Sequence, residues 1–441
     1  MAMKILYADS GLRGLEGHHA SSGMALPRAL RTLGHDVTVL GHRDLVPALR
    51  QSAGAIPFFQ SFTYGGPSSD ALAGWLTNFS VALDATVADL QRAWTAHGPF
   101  DLVYFNSVKP AQVAALGLWM KGAFPRAEAA PPVVVELGTE SGLARDASSP
   151  GGFAVRDPSA MLYRHAAQRI GMPWLERIAF VAAAEAAAAE YGFLFDRPVG
   201  LAPMPQSLPP LRRRVPAGSL TIGLLGHQRP DKGYRLAPAL IPEVLRRHDA
   251  VRFLVHQSDP EGMQDVTAEL RRLAQHQPRL ELMVAPATGE DWFALLDRCD
   301  LVALPYDPQR YAGSYSAIVG EALASGAPLV VPAATTLAAE LEEAGGAGVT
   351  FDAWEVASVA DAVGEAIARL PTLAEQAARA GGLRHERHGP QRFVACVLAE
   401  AARLGKAQPA RRRLRDLLRG RRCSGRPRRR CSAGGASAPG T

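Results

Sequence analysis

The chain has 441 residues, of which 47% are hydrophobic and 20% charged; this is the composition of a globular protein and excludes a fibrous or wholly disordered one. The length exceeds what one ordinary hydrophobic core organises and suits two domains. The net charge of +6 is uneven, because residues 401–441 hold 13 Lys and Arg against one acid, a net +12, which leaves the other 400 residues at −6.

No apolar stretch reaches the roughly 20 residues that a membrane-spanning helix requires. The apolar run within Met3–Tyr7 is also shorter than the core of a signal peptide, about 7–15 residues. We therefore expect a cytoplasmic protein. The cysteines, Cys299, Cys396, Cys423 and Cys431, lack the spacing of metal ligands. They are expected to be free thiols in a reducing compartment.

In the first half of the chain, short apolar runs alternate with helical periodicity. A strand at 4–8 is followed by a glycine-rich loop from Gly11 to Gly23 and a helix that Gly34 ends. The apolar face of that helix comprises Leu26, Ala29, Leu30 and Leu33. Further strands are predicted at 37–40, 101–105 and 133–137, with helices around 75–94 and 112–121. This alternation predicts a parallel sheet with helices on its faces.

Residues 205–218 contain four prolines and interrupt this pattern, which predicts an interdomain linker. The alternation then resumes, with strands predicted at 220–225, 251–256, 280–284, 301–304 and 329–331. The chain is therefore predicted to be an α/β protein with two Rossmann-like, doubly wound parallel-sheet domains. Their predicted extents are 1–204 and 219–388, followed by a helix at 389–408 that packs back on the first domain and a basic disordered tail at 409–441.

Ligands of open α/β sheets bind beyond the carboxyl ends of the strands, so the loops after strands are the candidate sites. The loop after the strand at 220–225 contains Gly226 and brings three potentially cationic side chains together, His227, Arg229 and Lys232. Glycine allows the backbone to approach a ligand, and Lys and Arg neutralise phosphate charge, so the loop suits a diphosphate. An ordinary polar turn is the alternative interpretation.

A second candidate lies between Tyr311 and the strand at 329–331. Ser314 is a suitable N-cap and Gly326 a suitable end for a helix between them. A helix N-terminus binds anions, and Glu321, seven residues after Ser314, lies on the same helix face. These residues predict a phosphate at the helix start and a carboxylate that accepts sugar hydroxyls. The alternative is that Glu321 is a surface carboxylate.

Together the two segments resemble the nucleotide-sugar-binding domain of GT-B glycosyltransferases of the retaining group-1 family. Gly226 and Lys232-Gly233 match the family's Gly-Arg-x-x-x-x-Lys-Gly motif. The motif Glu-x7-Glu running into Ala-x-x-x-Gly-x-Pro-Val-Val is matched by Glu321, Ala322, Gly326, Pro328 and Val330-Val331. The resemblance covers residues 219–361. It implies two domains facing across a cleft and transfer of a sugar from a nucleoside diphosphate to an acceptor hydroxyl, with retention and without a metal ion or other cofactor.

The resemblance also implies roles for residues. Lys232 and Arg229 would stabilise the departing diphosphate, and Glu321 would bind the ribose. His227 departs from the family pattern at its arginine, and Gly313 departs at the first glutamate, the acid near the transferred sugar. The predicted donor-binding residues are Gly226, His227, Gly313, Ser314, Tyr315, Ser316 and Glu321, with Tyr311 as a further candidate. Because of Gly313, a nucleotide-sugar-binding subunit without catalysis stays open as an alternative function, as does a nucleotide-sugar epimerase.

The acceptor side is predicted in two further segments. Gly17, His18 and His19 lie in the glycine-rich segment, where a histidine could bind the acceptor or shuttle a proton; two solvated loop histidines are the alternative. Glu136 and Thr139 end the strand at 133–137 and could contact the transferring sugar, or make a local cap instead. The predicted catalytic residues are thus Lys232, Arg229, Glu136 and His18.

The basic tail, at Arg411–Arg422, could rest on anionic lipid at the inner face of a membrane, where a lipid-linked acceptor would be found. A glycan or a small molecule is an equally open acceptor. Nucleic acid is a less favoured partner, and a disordered solubilising extension is the alternative to any partner.

Overall fold

The computed structural model describes residues 2–420 apart from Glu16, 71–73, Thr139, 204–206, 213–217, 258–261 and Pro286. The side chains of Pro150 and of residues 406–420 are outside the description as well. The predicted linker is consequently described at 207–212 and 218, and the predicted tail only as the backbone of 409–420. Thr139, predicted on the acceptor side, lies outside the described residues.

The first domain is built on a parallel sheet. In chain order, the first-domain strands among the described residues are β1 (Lys4–Ala8), β2 (Asp36–His42), β3 (Ala55–Phe59), β4 (Leu102–Phe105), β5 (Val133–Glu136), β6 (Leu143–Arg145), β7 (Phe153–Val155), β8 (Ile178–Ala182) and β9 (Gly200–Leu201). The sheet order is β3-β2-β1-β4-β5-β8-β9, and β6 and β7 form a separate antiparallel hairpin. The helices are α1 (Gly17–Thr32), α2 (Pro47–Ala53), α3 (Gly74–His97), α4 (Pro110–Ala123), α5 (Ser159–Ile170) and α6 (Glu185–Phe195).

The second domain has its own parallel sheet, in the order β12-β11-β10-β13-β14-β15. Its strands within the described ranges are β10 (Leu220–Leu224), β11 (Val251–Gln257), β12 (Leu280–Val284), β13 (Leu301–Ala303), β14 (Leu329–Pro332) and β15 (Gly348–Phe351). The helices are α7 (Ala237–Arg247), α8 (Gln264–His276), α9 (Glu290–Asp297), α10 (Ala317–Ala324), α11 (Thr336–Glu343), α12 (Val356–Ala368) and α13 (Leu370–Arg387). A last helix, α14 (Pro390–Gly420), follows the second domain. The predicted α/β class with two parallel sheets is confirmed.

Both sheets are buried between layers of helices, which is why their strands are apolar on both faces. Every residue of β4, Leu-Val-Tyr-Phe, is buried. The sheet order reverses direction at β1/β4 in the first domain and at β10/β13 in the second. These are the topological switch points, where loops at the carboxyl ends of the strands diverge and leave space for a ligand.

Helix α14 packs against the first domain after the chain has left the second. Phe393 and Val397 are buried with residues of β1, β2 and α1, and the Phe393 ring lies edge-on to Tyr104 at 5.7 Å between centroids. Arg177 Nη1 donates to the carbonyl of Leu404 at 3.3 Å. The helical backbone continues to Gly420, past the predicted helix end at 408.

The glycine-rich segment is shorter as a loop than predicted, because α1 already begins at Gly17. Gly23, taken from the sequence as a loop residue, lies inside this helix. A Cβ there would come within 2.9 Å of the Leu12 side chain, so this glycine serves close packing. The prediction that Leu33 lies on the buried face was wrong: α1 ends at Thr32, and Leu33 is 59% exposed.

Candidate active site

The two domains contact each other through loops at the carboxyl ends of their strands. Arg310, in the loop after β13, forms an ion pair with Glu140, which follows β5. Arg156 Nη1 donates to the carbonyl of Gln309 at 3.3 Å in the same region. The loops that the sequence predicts on the donor and acceptor sides therefore face one another.

The loop after β10 is held close to α10. Gly226 has a φ of +119°, and a Cβ at this position would collide with Ile318 in the first turn of α10. The Tyr234 hydroxyl lies 3.1 Å from the carbonyl of Gly226 and 2.9 Å from that of His256, and can donate to either. Glycine at 226 thus allows the loop backbone to lie against the helix start.

Lys232 is the better placed of the two predicted cations. Arg229 Nη2 already donates to Asp231 Oδ2 at 2.8 Å and to the Tyr311 hydroxyl at 3.1 Å. Lys232 Nζ instead lies 5.4 Å from the centroid of the Tyr306 ring. Burial and the nearby Arg229 guanidinium lower the pKa of Lys232 to about 8. A bound anion would stabilise this ammonium.

His227 is half-buried in the same loop, between Gly226 and Gln228. The Gln228 side chain is 4% exposed, and neither its amide oxygen nor its nitrogen has a hydrogen-bond partner among the described residues. Since a buried amide without partners is costly, Gln228 is a candidate for contact with a ligand. The sequence analysis missed it, and its place beside His227 was the available signal.

Helix α10 begins later than predicted. Its first residue is Ala317, and the N-cap position belongs to Ser316. Ser314 is engaged elsewhere: Arg310 Nη1 donates to its hydroxyl at 2.5 Å, and the Thr336 hydroxyl donates to its carbonyl. The prediction of Ser314 as the N-cap was therefore wrong, because contacts with distant residues take up its polar groups. The positive end of α10 lies at Ser316, two residues before Ile318, which packs against Gly226.

Glu321 is not a surface carboxylate, because its residue is 8% exposed. Trp292 Nε1 donates to its Oε2 at 2.7 Å, and the Trp292 ring lies 5.7 Å from that of His256. Burial raises the pKa of Glu321 to about 7, against the lowering effects of the Trp292 hydrogen bond and of the Lys232 charge. Trp292, which contacts this carboxylate, and His256, beside the Trp292 ring, were missed by the sequence analysis.

The two tyrosines of the loop before α10 have partners within the protein. Arg384 Nη2 donates to the Tyr315 hydroxyl at 2.8 Å, and Nη1 of the same guanidinium donates to Glu340 Oε2 at 3.0 Å. Tyr311 meets Arg229, as described above, and burial raises its pKa to about 12. Both hydroxyls therefore hold the loop in place through contacts within the protein. Among the predicted donor-binding residues of this loop, Gly313 and Ser316 remain as candidates for contact with the donor through their backbone groups.

On the acceptor side, His18 and His19 occupy the first turn of α1 and join a hydrogen-bonded cluster. His19 Nδ1 lies 2.7 Å from Asp9 Oδ1 and must donate, since a carboxylate only accepts. The other ring nitrogen of His19 lies 2.9 Å from the Tyr64 hydroxyl, which is also 3.1 Å from His18 Nε2. Gly17 precedes this pair with a φ of +74°. The alternative of two solvated loop histidines is inconsistent with these contacts.

Electrostatics keep His18 uncharged. Burial and the adjacent His19 imidazole lower the pKa of His18 well below its usual range. Its Nε2 also lies 3.2 Å from the hydroxyl of Ser107. A neutral imidazole in these contacts suits hydrogen bonding to a ligand better than strong proton uptake.

Glu136, at the end of β5, lies in the same cluster. The backbone N–H of Ser107 donates to Glu136 Oε2 at 3.0 Å, and Ser107 has a φ of +51°. Burial raises the pKa of Glu136 to about 7, opposed by the Ser107 hydrogen bond and the His19 charge. A Cβ on Gly138 would come within 2.8 Å of this carboxylate. Glu136 is thus a buried, hydrogen-bonded carboxyl at the cleft edge of the sheet.

Four residues of the cluster, Asp9, Tyr64, Asn106 and Ser107, were missed from the sequence. Asp9 follows β1, Asn106 follows β4, and Asn106 Nδ2 donates to Asp9 Oδ2 at 2.8 Å. Both stand directly after adjacent strands, so the rule that ligands bind at strand ends could have found them. Tyr64 lies in a long loop without such a signal.

Among the described residues, no group of three or more His, Cys, Asp or Glu side chains is arranged to hold a metal ion. Within the same residues, no helix is long and apolar enough to cross a membrane.

Comparison with known proteins bears on the second domain and on the fold. Residues 219–369 match the family model described as Glycosyl transferases group 1. No curated protein matches the chain by sequence.

Solved structures with the same fold include a glycosyltransferase from Rickettsia africae, 11% identical, with a TM-score of 0.62 over 92% of this chain and 99% of that one. Anabaena HepE in complex with UDP-glucose is 16% identical, with a TM-score of 0.56 over 92% and 100% of the two chains. Sucrose-phosphate synthase from Thermosynechococcus elongatus is 15% identical, with a TM-score of 0.56 over 95% and 99%. At these identities the likeness establishes a shared two-domain fold. The segment that holds Lys232 and Glu321 matches the model of the glycosyl transferases group 1, and this match supports the assignment of the protein to the transferases.

Proposed function

We propose that the protein transfers a sugar from a nucleoside-diphosphate sugar to an acceptor hydroxyl. The observation that carries this proposal is that the loop of Lys232 packs against the first turn of α10, the helix that holds the buried Glu321. A half-buried ammonium of lowered pKa and a buried carboxyl of raised pKa influence each other's ionisation beside the start of α10. The first suits a diphosphate and the second suits ribose hydroxyls, which are adjacent parts of one donor molecule.

Loss of the diphosphate is the step that this site favours. When the bond between the sugar and the phosphate breaks, negative charge grows on the departing diphosphate. Lys232, Arg229 and the positive end of α10 at Ser316 would stabilise that charge in a site prearranged for it. We propose that these groups act without a metal ion, since they supply the positive charge themselves.

The nucleoside would lie beside Glu321. Glu321 accepts a hydrogen bond from Trp292 with one oxygen, and its other oxygen would accept from the ribose. Uridine is the first base to test, because UDP-glucose is the ligand of the similarly folded Anabaena HepE. Gln228, a buried residue of the loop whose side-chain amide has no hydrogen-bond partner among the described residues, would contact the nucleotide as well.

The acceptor would enter from the first domain. Glu136 lies at the carboxyl end of β5 and His18 in the first turn of α1. Both would accept hydrogen bonds from acceptor or sugar hydroxyls. Retention at the anomeric carbon is proposed from the resemblance of the Lys232 and Glu321 segments to the retaining group-1 family. A lipid-linked acceptor would give the basic residues 411–422 a role at an anionic membrane, and binding to vesicles with and without anionic lipid tests that role.

The test is a donor screen followed by a product assay. UDP-, GDP-, ADP- and dTDP-sugars are compared by thermal shift, because a bound ligand raises the apparent unfolding temperature. The donor that binds is then incubated with candidate acceptors, and the product's anomeric configuration is determined by NMR. Glycosylated acceptor supports the proposal. Epimerised donor, or tight binding without any product, would replace it with an epimerase or a binding subunit, the latter favoured by glycine at 313.

A further inference from the structure

Glu190 lies between the two domains, although no sequence motif singles it out. It belongs to α6 of the first domain and is 7% exposed. Ser141 Oγ donates to its Oε2 at 2.5 Å. Its other oxygen, Oε1, lies 3.0 Å from the position that a Cβ of Gly313 would occupy in the second domain. A carboxylate of the first domain thus reaches the loop that leads into α10.

The hydrogen bonding of this carboxylate is incomplete. A carboxylate has about four acceptor positions, yet within the described part of the chain Ser141 is the hydrogen-bond donor found for Glu190. Arg145 and Arg156 act on it through charge and lower its pKa, while burial, the larger effect, raises it. Because burying a carboxyl with so few partners is unfavourable, Oε1 is available for donors supplied by a ligand.

Glycine at 313 is explained by this carboxylate and not by the backbone. Gly313 is absent from the residues with positive φ, so its conformation is open to any side chain. The three heavy atoms nearest to a Cβ at 313 all belong to Glu190, at 3.0, 3.8 and 3.9 Å. The space beside residue 313 of the second domain is therefore occupied by the Glu190 side chain of the first domain.

We propose that Glu190 is a further substrate-binding residue, whose carboxylate accepts hydrogen bonds from hydroxyl groups of the transferred sugar beside Gly313. This inference rests on the proposed function and adds to it a residue that recognises the transferred sugar. Lys232 and Glu321 belong to the second domain, whereas Glu190 belongs to the first. The nucleotide can consequently bind to the second domain alone, while the sugar contacts Glu190 only when both domains meet.

The experiment separates nucleotide binding from use of the sugar. The variants Glu190→Gln and Glu190→Ala are compared with the wild type and with Glu185→Gln, an exposed glutamate on the same helix. Calorimetry with UDP, or with the diphosphate that the donor screen identifies, gives a Kd expected to stay within about twofold in every variant. kcat/KM for the matching nucleotide sugar is expected to fall about 10- to 100-fold in both Glu190 variants and to stay unchanged in Glu185→Gln.

A double variant tests whether the loss of kcat/KM has a purely structural cause. Glu190→Ala combined with Gly313→Asp returns a carboxylate to the same place from the opposite domain, and should recover at least about tenfold in kcat/KM over Glu190→Ala alone. The slow hydrolysis of donor without acceptor should fall and recover in parallel, because the contact is to the transferred sugar.

Two outcomes would overturn the inference while leaving the proposed function intact. One is wild-type kcat/KM in Glu190→Gln with normal diphosphate binding. The other is loss of transfer with unchanged donor hydrolysis, which would assign Glu190 to the acceptor. Failure of the wild-type protein to bind any nucleoside diphosphate would overturn the proposed function itself, and with it this inference.

Discussion

Replacement of Lys232 by methionine is the sharpest test of the diphosphate site. Methionine keeps an unbranched side chain of similar length while removing the charge that lies over the Tyr306 ring. The pKa of Lys232, about 8 where 10.5 is usual, means that burial and Arg229 disfavour the ammonium by about 3 kcal/mol in the free protein. Solvent around this half-buried group makes that figure an upper limit.

The expected loss of affinity follows from the contact that a diphosphate would make. A hydrogen bond to a charged group contributes about 1.5–3 kcal/mol net, so Lys232→Met should weaken diphosphate binding by about 10- to 150-fold at pH 7. Stability should not fall, because the substitution removes a charge that the fold disfavours. Arg235→Met is the matched control, since Arg235 lies three residues after Lys232 and its exposed side chain forms an ion pair with Asp265.

Calorimetry across pH gives a second, independent signature. The ammonium is the form that binds, so wild-type affinity should decline as the pH rises above about 8, where the free protein loses the Lys232 proton. Lys232→Met should be weak at every pH and lack this decline. Wild-type affinity in Lys232→Met, or an alkaline decline that the substitution leaves in place, would refute the assignment of the diphosphate to this residue.

Three further substitutions test other parts of the reasoning. Glu321→Gln should reduce kcat/KM about 10-fold or more and abolish the rise in wild-type kcat/KM as the pH passes about 7, where Glu321 ionises in the free protein; a rise that persists would exclude Glu321 as its source. Gly233→Ala should lower the free energy of unfolding in urea by at least about 1–3 kcal/mol, because φ is +69° and a Cβ would collide with the Pro305 carbonyl; an unchanged midpoint would contradict this. Glu136→Gln should flatten the pH dependence of stability: the raised pKa of Glu136 stabilises the fold below about pH 4.5, and that stabilisation is lost as the pH rises through about 7, so a wild-type-like slope in the variant would show that another group is responsible.

The sheets were predictable from sequence because buried parallel strands are short apolar runs. β1 at Lys4–Ala8 and β12 at Leu280–Val284 have the predicted bounds, and β4, β5 and β10 differ by a residue at one end. The prediction of the N-cap of α10 from local sequence was wrong because two residues suited that position equally. Ser314 and Ser316 are both suitable N-caps, and the choice between them depends on Arg310 and Thr336 meeting Ser314 in the folded chain.

Composition misled the prediction at the first helix. Glycines at 11, 14, 17 and 23 are typical of a loop, but α1 begins at the third of them, and the fourth lies inside the helix and makes room for Leu12. The partners of its histidines could not be read from the sequence either, since Tyr64 is 45 residues from His19 and joins it only through the fold. Glu190 could not be identified from the sequence for the same reason, because its proposed role depends on Gly313, which lies in the other domain.

The division of the site between domains has an energetic consequence. The Arg310–Glu140 ion pair that joins the domains is partly exposed on both sides, and such pairs contribute about 0–1 kcal/mol. The Arg156 contact to Gln309 is exposed as well. These contacts are too weak to fix the cleft in one arrangement by themselves. A donor held by Lys232 and Glu321 at its nucleotide end, with its sugar hydroxyls on Glu190, would bridge the same two surfaces through charged and buried groups. Binding of the complete donor should therefore favour the joined domains more than binding of the diphosphate does, so the sugar to be transferred would itself assemble the site that transfers it.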